Sequence, residues 1–143
     1  MVRIDLEYEG ELHTRARHAP SGAALETDAP VDNHGKGEAF SPTDLLATSL
    51  GACMITVMGI AANKDGIALD GTKLRVEKTM TPTLPRKVAR LVVELVVPAA
   101  RATAIPPATR ARLEQIGETC PVRLSLSPEI QVETSYVWEG ADV

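Results

Sequence analysis

From Leu45 to Ala62 the chain runs for 18 residues without a charge. A helix that is apolar on every side must be hidden on every side. The run is long enough to cross a bilayer. Ala, Gly, Ser and Thr make up much of it, however, so its transfer into lipid would be weakly favourable at best. The strand patterns on either side also need a water-soluble core. The segment therefore reads as a buried helix. Ser41 is a good N-cap and Pro42 suits the first helical position, where its missing N–H costs nothing. Asp44 stands three residues after Ser41, which is a capping-box pattern with Asp in place of Glu. The helix is predicted to run to about Asn63, with "NKDG" ending it at Gly66.

A chain of 143 residues has little depth in which to bury such a helix. Ser49, Gly51, Ala52 and Gly59 would admit a second helix at close range. The economical arrangement is a homodimer with this helix near its centre. The alternative is a monomer that wraps a two-layer sheet around it.

The flanking segments read as strands. In "RIDLEYEG", Ile4, Leu6 and Tyr8 alternate with Asp5 and Glu7, the pattern of a half-buried strand. Leu12 to Arg17 and "AALETDAP" follow as two more strands, separated by the turn "APSG". Beyond the helix, "GTKLRVEKTM" and "VARLVVELVV" are strands. In the second of these, Ala89, Leu91, Val93, Leu95 and Val97 are expected on one face. "IPPATRARLEQIGETC" reads as a second helix entered through Pro106 and Pro107, with Leu113 and Ile116 inward. A last strand spans roughly Ile130 to Trp138. The order βββ–α–ββ–α–β is an α+β arrangement in one domain, residues 1–143. Aromatic residues make up only 3% of the chain, so Val, Leu, Ile, Ala and Met must build the core.

A net charge of −4 argues against nucleic acid and against an anionic membrane surface as partners. The start, "MVRIDLEYEG", carries charges at alternate positions, unlike a secretory signal, so a cytoplasmic location is expected. In that compartment Cys53 and Cys120 are free thiols, a redox pair or part of a metal site rather than a permanent bridge. Taken singly, each cysteine is best read as packing. Cys120 precedes Pro121 and has Arg123 three residues on, and a neighbouring guanidinium can lower a thiol pKa. His13, His18 and His34 show no ligand spacing with either cysteine, so no metal is expected. No phosphate loop, G-x-S-x-G or H-E-x-x-H motif occurs, and no cofactor is implied.

"FSPTDLLATSLGACM", with "CPVRLSLSPEIQVE" beginning 67 residues after its cysteine, resembles the OsmC/Ohr family of osmotically induced and organic-hydroperoxide-resistance proteins. The resemblance covers nearly the whole chain. It implies an OsmC-like fold, with antiparallel sheets around long central helices in an intertwined homodimer. It also implies thiol peroxidase chemistry on organic hydroperoxides, as part of an oxidative stress response. Cys53 would attack the O–O bond and become a sulfenic acid, and Cys120 would condense with it to a disulfide. A dithiol or lipoyl-type reductant would restore both thiols. A dimeric small-molecule binding protein with weak or no peroxidase activity is the alternative.

Peroxidatic family members carry Glu directly after the Pro. Here Thr43 stands there and Asp44 comes one place later, as in the OsmC-like branch. The family also supplies an N-terminal arginine to the thiolate, for which Arg15 and Arg17 are candidates. Ten helical residues rise about 15 Å. Thr43 and Asp44 would therefore reach Cys53 only through a bent helix or a partner chain.

Overall fold

The computed structural model describes residues 1–141. Its elements are β1 (Ile4–Gly10), β2 (His13–His18), β3 (Ala24–Asp28), a 3₁₀ turn at Val31–Asn33, α1 (Pro42–Lys64), β4 (Lys73–Met80), β5 (Val88–Val97), α2 (Ala99–Ala102), α3 (Pro107–Glu118), α4 (Pro121–Ser125) and β6 (Gln131–Trp138). They divide into two compact units, Met1–Leu46 and Ala47 onward.

The N-terminal unit is an antiparallel sheet in the order β1-β2-β3. Leu6, Ala16 and Leu25 stand side by side across it. The expected half-burial of β1 does not hold within the chain: Ile4, Leu6 and Tyr8 are 56%, 67% and 64% exposed. Their alternation is real, but within the chain this apolar face stays open. On the other face, Arg15 lies opposite Glu7 and Glu26, and His13 lies opposite Asp28. Asp28 is buried; its Oδ1 lies 2.6 Å from His13 Nδ1 and its Oδ2 accepts the Glu38 N–H at 3.1 Å. The Asp28 N–H donates to the Phe40 carbonyl. One residue thus ties the sheet to the loop that leads into α1.

Both ends of α1 form as the sequence predicts. The Ser41 N–H donates to Asp44 Oδ2 at 2.9 Å, and the Asp44 N–H donates to Ser41 Oγ at 3.1 Å, which is the reciprocal capping box. At the other end, Ile67 N–H reaches the Ala62 carbonyl and Gly66 N–H reaches Asn63. This is a Schellman closure with Gly66 at φ +67°. The helix is long and apolar enough to cross a membrane by length and composition alone, and a third of that apolar window is buried inside the chain. Ala47, Leu50, Gly51, Met54, Met58 and Ala62 form the buried stripe, while Ile60 is 54% exposed.

In the C-terminal unit the sheet order is β4-β5-β6. β4 pairs antiparallel with β5, but β5 and β6 run parallel, which corrects the expectation of antiparallel sheets throughout. The physical reason is the connection. α2, α3 and α4 lie between β5 and β6, and a crossover of that length returns the chain in the same direction. The predicted face of β5 is also corrected at one end. Val88 is buried rather than Ala89, because the register shifts between Thr79 and Met80 and leaves Ala89 unpaired with β4. Ile116 is half-buried, and Leu113 and Gly117 are the buried residues of α3.

The core joins Met58 and Ala62 of α1 to Leu95 and Val97 of β5, Leu113 of α3, Ile105 and Trp138. Trp138 satisfies its indole N–H on Glu114 at 2.7 Å. α1 approaches β4 so closely at Gly51 that a Cβ there would stand 2.8 Å from Val76 Cγ2.

The bond to Asp28 raises the pKa of His13 and lowers that of Asp28. Glu9 and Glu26 also face His13, and Arg15 is paired with both of them. The His13 contribution to stability is complete below the ordinary imidazole value of about 6.5, and it is lost as pH rises through the raised folded value. The Asp28 contribution is present above its ordinary value and lost as pH falls through the lowered one. Thermal melts should therefore show stability falling from pH 6 towards pH 8.5, and the fall should be smaller in His13→Gln. Identical slopes in the two proteins would remove this account.

Candidate functional site

Cys53 sits in the middle of α1 and is half-buried, whereas Cys120 is fully buried. The segment that carries Cys120 is fixed by its neighbours. Pro121 occupies the first position of α4, and Cys120 is the N-cap with extended backbone angles. Its Sγ accepts the Arg123 N–H at 3.4 Å, a thiol in the role that Ser usually takes. The Cys120 N–H is held by the Gly117 carbonyl at 3.3 Å. In this setting the Cys53 thiol lies close enough to Cys120 to act on its ionisation. Two residues 67 positions apart in sequence are therefore neighbours in space.

Burial pushes the Cys120 thiol pKa up, and the nearness of Cys53 adds to the rise. The N–H groups of Arg123 and Val122 pull in the opposite direction. With burial the larger effect, Cys120 rests as a thiol.

A polar cluster adjoins this pair. Arg123 Nη2 bonds Glu118 Oε2 at 3.0 Å. Glu118 Oε1 accepts the Tyr136 hydroxyl at 2.8 Å and also the Thr134 hydroxyl. Burial, reinforced by Glu118, raises the Tyr136 pKa, so the phenol stays a donor. Arg123 Nη1 is buried with no hydrogen-bond partner among the described residues. Such an orphaned donor costs about 1–3 kcal/mol.

Close packing brings these elements together. A Cβ at Gly117 would meet Met58 Sδ and Tyr136 Oη, each at 3.0 Å. Gly117 lets α3 press closely against both α1 and β6.

Of the residues singled out in the sequence, Cys53, Cys120 and Arg123 meet in the C-terminal unit. Thr43 and Asp44 are engaged at the cap: Thr43 Oγ1 lies 3.2 Å from Ser41 Oγ, and Asp44 accepts from Ser41. Arg15 is spent on Glu9 at 3.3 Å and on Glu26 at 2.8 Å. Arg17 is exposed on β2. Glu118, Thr134 and Tyr136 were not singled out. Their signal was weak but present: an acid two residues before the cysteine, and two hydroxyls at alternate positions of one strand.

In the N-terminal unit, donor atoms of Glu9, His13 and Glu26 lie within 4.8 Å of one another, the spread of a metal-ligand set. The Arg15 guanidinium already sits on both carboxylates, so the group reads as an ion-pair network.

The model of the OsmC-like protein family matches residues 35–135. A crystal structure from Psychrobacter arcticus, of a protein described as osmotic-stress-induced and involved in a detoxification response, is 40% identical. It superposes with a TM-score of 0.87 over 95% of this chain and 96% of that one. The organic hydroperoxide resistance protein OsmC of Legionella pneumophila shares the fold at 17% identity, with a TM-score of 0.73 and 96% of each chain covered. An organic hydroperoxide resistance protein of Vibrio cholerae, with captopril in one of its active sites, does so at 15% identity. Its TM-score is 0.71 over 100% of this chain and 92% of that one. A comparison with curated protein sequences finds no match. The chain belongs to the OsmC-like family.

Replacing Gly117 with Leu should force α3 away from Met58 and Tyr136 and destabilise the protein by about 1–3 kcal/mol, the usual cost of overpacking. Urea denaturation would measure it. An unchanged midpoint would mean that the close approach carries no weight.

Proposed function

We propose that the protein is a thiol-dependent peroxidase acting on organic hydroperoxides, with Cys53 as the peroxidatic residue and Cys120 as the resolving one. The observation that carries this reading is the nearness of the two thiols, one partly open and the other buried. A half-buried sulfur on a helix can be reached by a peroxide. A buried thiol beside it can capture the product before further oxidation.

The Cys53 thiolate attacks one peroxide oxygen, the O–O bond breaks, and the alcohol leaves with a proton. Cys53 is then a sulfenic acid. The Cys120 thiol condenses with it, forming the S–S bond and releasing water. A dithiol of the lipoyl class exchanges with the disulfide, becomes a cyclic disulfide itself, and returns both cysteines to the reduced state. No resident cofactor or metal is invoked. Arg123 is the cation nearest Cys120 in sequence within this unit. Arg15 and Arg17 are the N-terminal candidates for stabilising the Cys53 thiolate. The family names of the relatives from Legionella and Vibrio support this substrate class.

The working unit in this reading is a homodimer of one OsmC-like domain, cytoplasmic and engaged with neither membrane nor nucleic acid. The support is the apolar surface that the chain leaves uncovered: Ile60 and the flanking surface of α1, and Ile4, Leu6 and Tyr8 of β1. A groove of about 330 Å³ between α1 and β4, lined by Thr48, Gly51, Ala52, Ile55, Leu74 and Val76, favours a second reading. In that reading the same dimer binds a small apolar molecule and turns over peroxide weakly or not at all.

Stoichiometric cumene hydroperoxide should convert the two free thiols into one Cys53–Cys120 disulfide, seen by mass spectrometry as a loss of two mass units and a cross-linked peptide pair. Cys53→Ser should abolish peroxide consumption, while Cys120→Ser should leave a sulfenate that dimedone traps. Two intact thiols after treatment would refute the peroxidase and leave the binding protein. Light scattering should give twice the chain mass, and a monomer at micromolar concentration would refute the dimer.

A further inference from the structure

We infer that Arg123 and Glu118 form a clamp that positions Cys120 for attack on Cys53, so that Arg123 controls disulfide closure rather than the capture of oxidant. This deepens the proposed peroxidase and rests on the same pair of cysteines.

Three observations carry it. The Arg123 backbone N–H donates to Cys120 Sγ, so the orientation of that one peptide sets where the sulfur points. The Arg123 side chain is then anchored on Glu118, the last residue of α3, two positions before Cys120. Glu118 is in turn held by Thr134 and Tyr136, both on β6. The loop bearing the buried thiol is thus pinned to the sheet through one ion pair. The third observation is the orphaned Nη1. A guanidinium free to satisfy all its donors would turn to water, since the side chain is 24% exposed. It is instead held in a position that leaves one buried donor unmatched. Buried unpaired donors are rare enough to need a reason, and the hold on Cys120 supplies one.

The Arg123 N–H also draws the Cys120 pKa down against burial. Loosening the clamp should weaken that pull, so the buried thiol would need a higher pH to attack.

The test separates the two steps with an aromatic disulfide, 5,5′-dithiobis(2-nitrobenzoate), which needs no peroxidase activity. Cys53 attacks the probe, and one coloured thiolate leaves. Cys120 then attacks the Cys53 sulfur of the mixed disulfide, and the second coloured thiolate leaves. Arg123→Gln should release the first equivalent at an unchanged rate. The second should be slowed by about tenfold, the scale of one lost charge-assisted hydrogen bond. The pH profile of the second step should move upward. Glu118→Gln should give the same pattern, and Arg123→Lys should recover part of the rate. Circular dichroism, together with a thiol count in denaturant, verifies that the variants are folded.

Equal slowing of both steps, or a second step with unchanged rate and pH profile in both variants, would overturn the clamp. If peroxide yields no sulfenate while the probe still shows the two-step pattern, the peroxidase fails and the clamp stands.

Discussion

The covering of α1 is the constraint on which the rest depends. An uncharged helix cannot face water along its length, and the chain meets this demand along one stripe. Met58 and Ala62 sink into the core with Leu95, Val97 and Leu113. Gly51 brings β4 against the same helix, and Gly117 brings α3 against Met58. Each contact recruits a different part of the C-terminal unit. Cys53 lies on the helix so covered, and Cys120 follows the helix that does some of the covering. Packing and the meeting of the two sulfurs are therefore one arrangement, because a shift of α3 to relieve Gly117 would also move Cys120.

The site divides its labour by environment. Cys53 is partly open, and Cys120 is shut away, capping a short helix with its own sulfur. Burial makes Cys120 a reluctant thiolate, and two backbone N–H groups moderate that reluctance. Around it, one carboxylate accepts from a guanidinium, a phenol and an alcohol, so Glu118 is well satisfied while Arg123 is not. The imbalance points to the arginine as the member held in place for a purpose other than its own solvation.

Much of the fold was legible because local chemistry wrote it. Ser41, Pro42 and Asp44 announced the start of α1 and Gly66 announced its end, and the hydrogen bonds follow both signals. The alternation in β4 and β5 was equally plain. Tertiary facts were not. Nothing in "QVETSYVW" states whether its neighbour runs with it or against it; the parallel pairing follows from the three helices between β5 and β6. The irregularity at Met80 moved Val88 inward in place of Ala89, and periodicity cannot see a bulge. For the site, the two cysteines were found through a resemblance that joined two short motifs. Glu118, Thr134 and Tyr136 escaped because each is ordinary in its own segment and becomes a cluster only when α3 lies against β6.

The separation of 67 positions between the cysteines carries a thermodynamic consequence. Between them lie β4, β5, α2 and α3, most of the C-terminal unit. In an unfolded chain the two sulfurs would meet rarely; the folded unit keeps them at a high effective concentration. A bond across a loop of that size restricts the unfolded ensemble by about 4 kcal/mol in the chain-entropy account. By linkage, whatever the fold contributes to making the bond, the bond returns to the fold. The oxidised protein would then be the sturdier form. A reductant acting on it would also be releasing the part of the molecule that oxidation had secured.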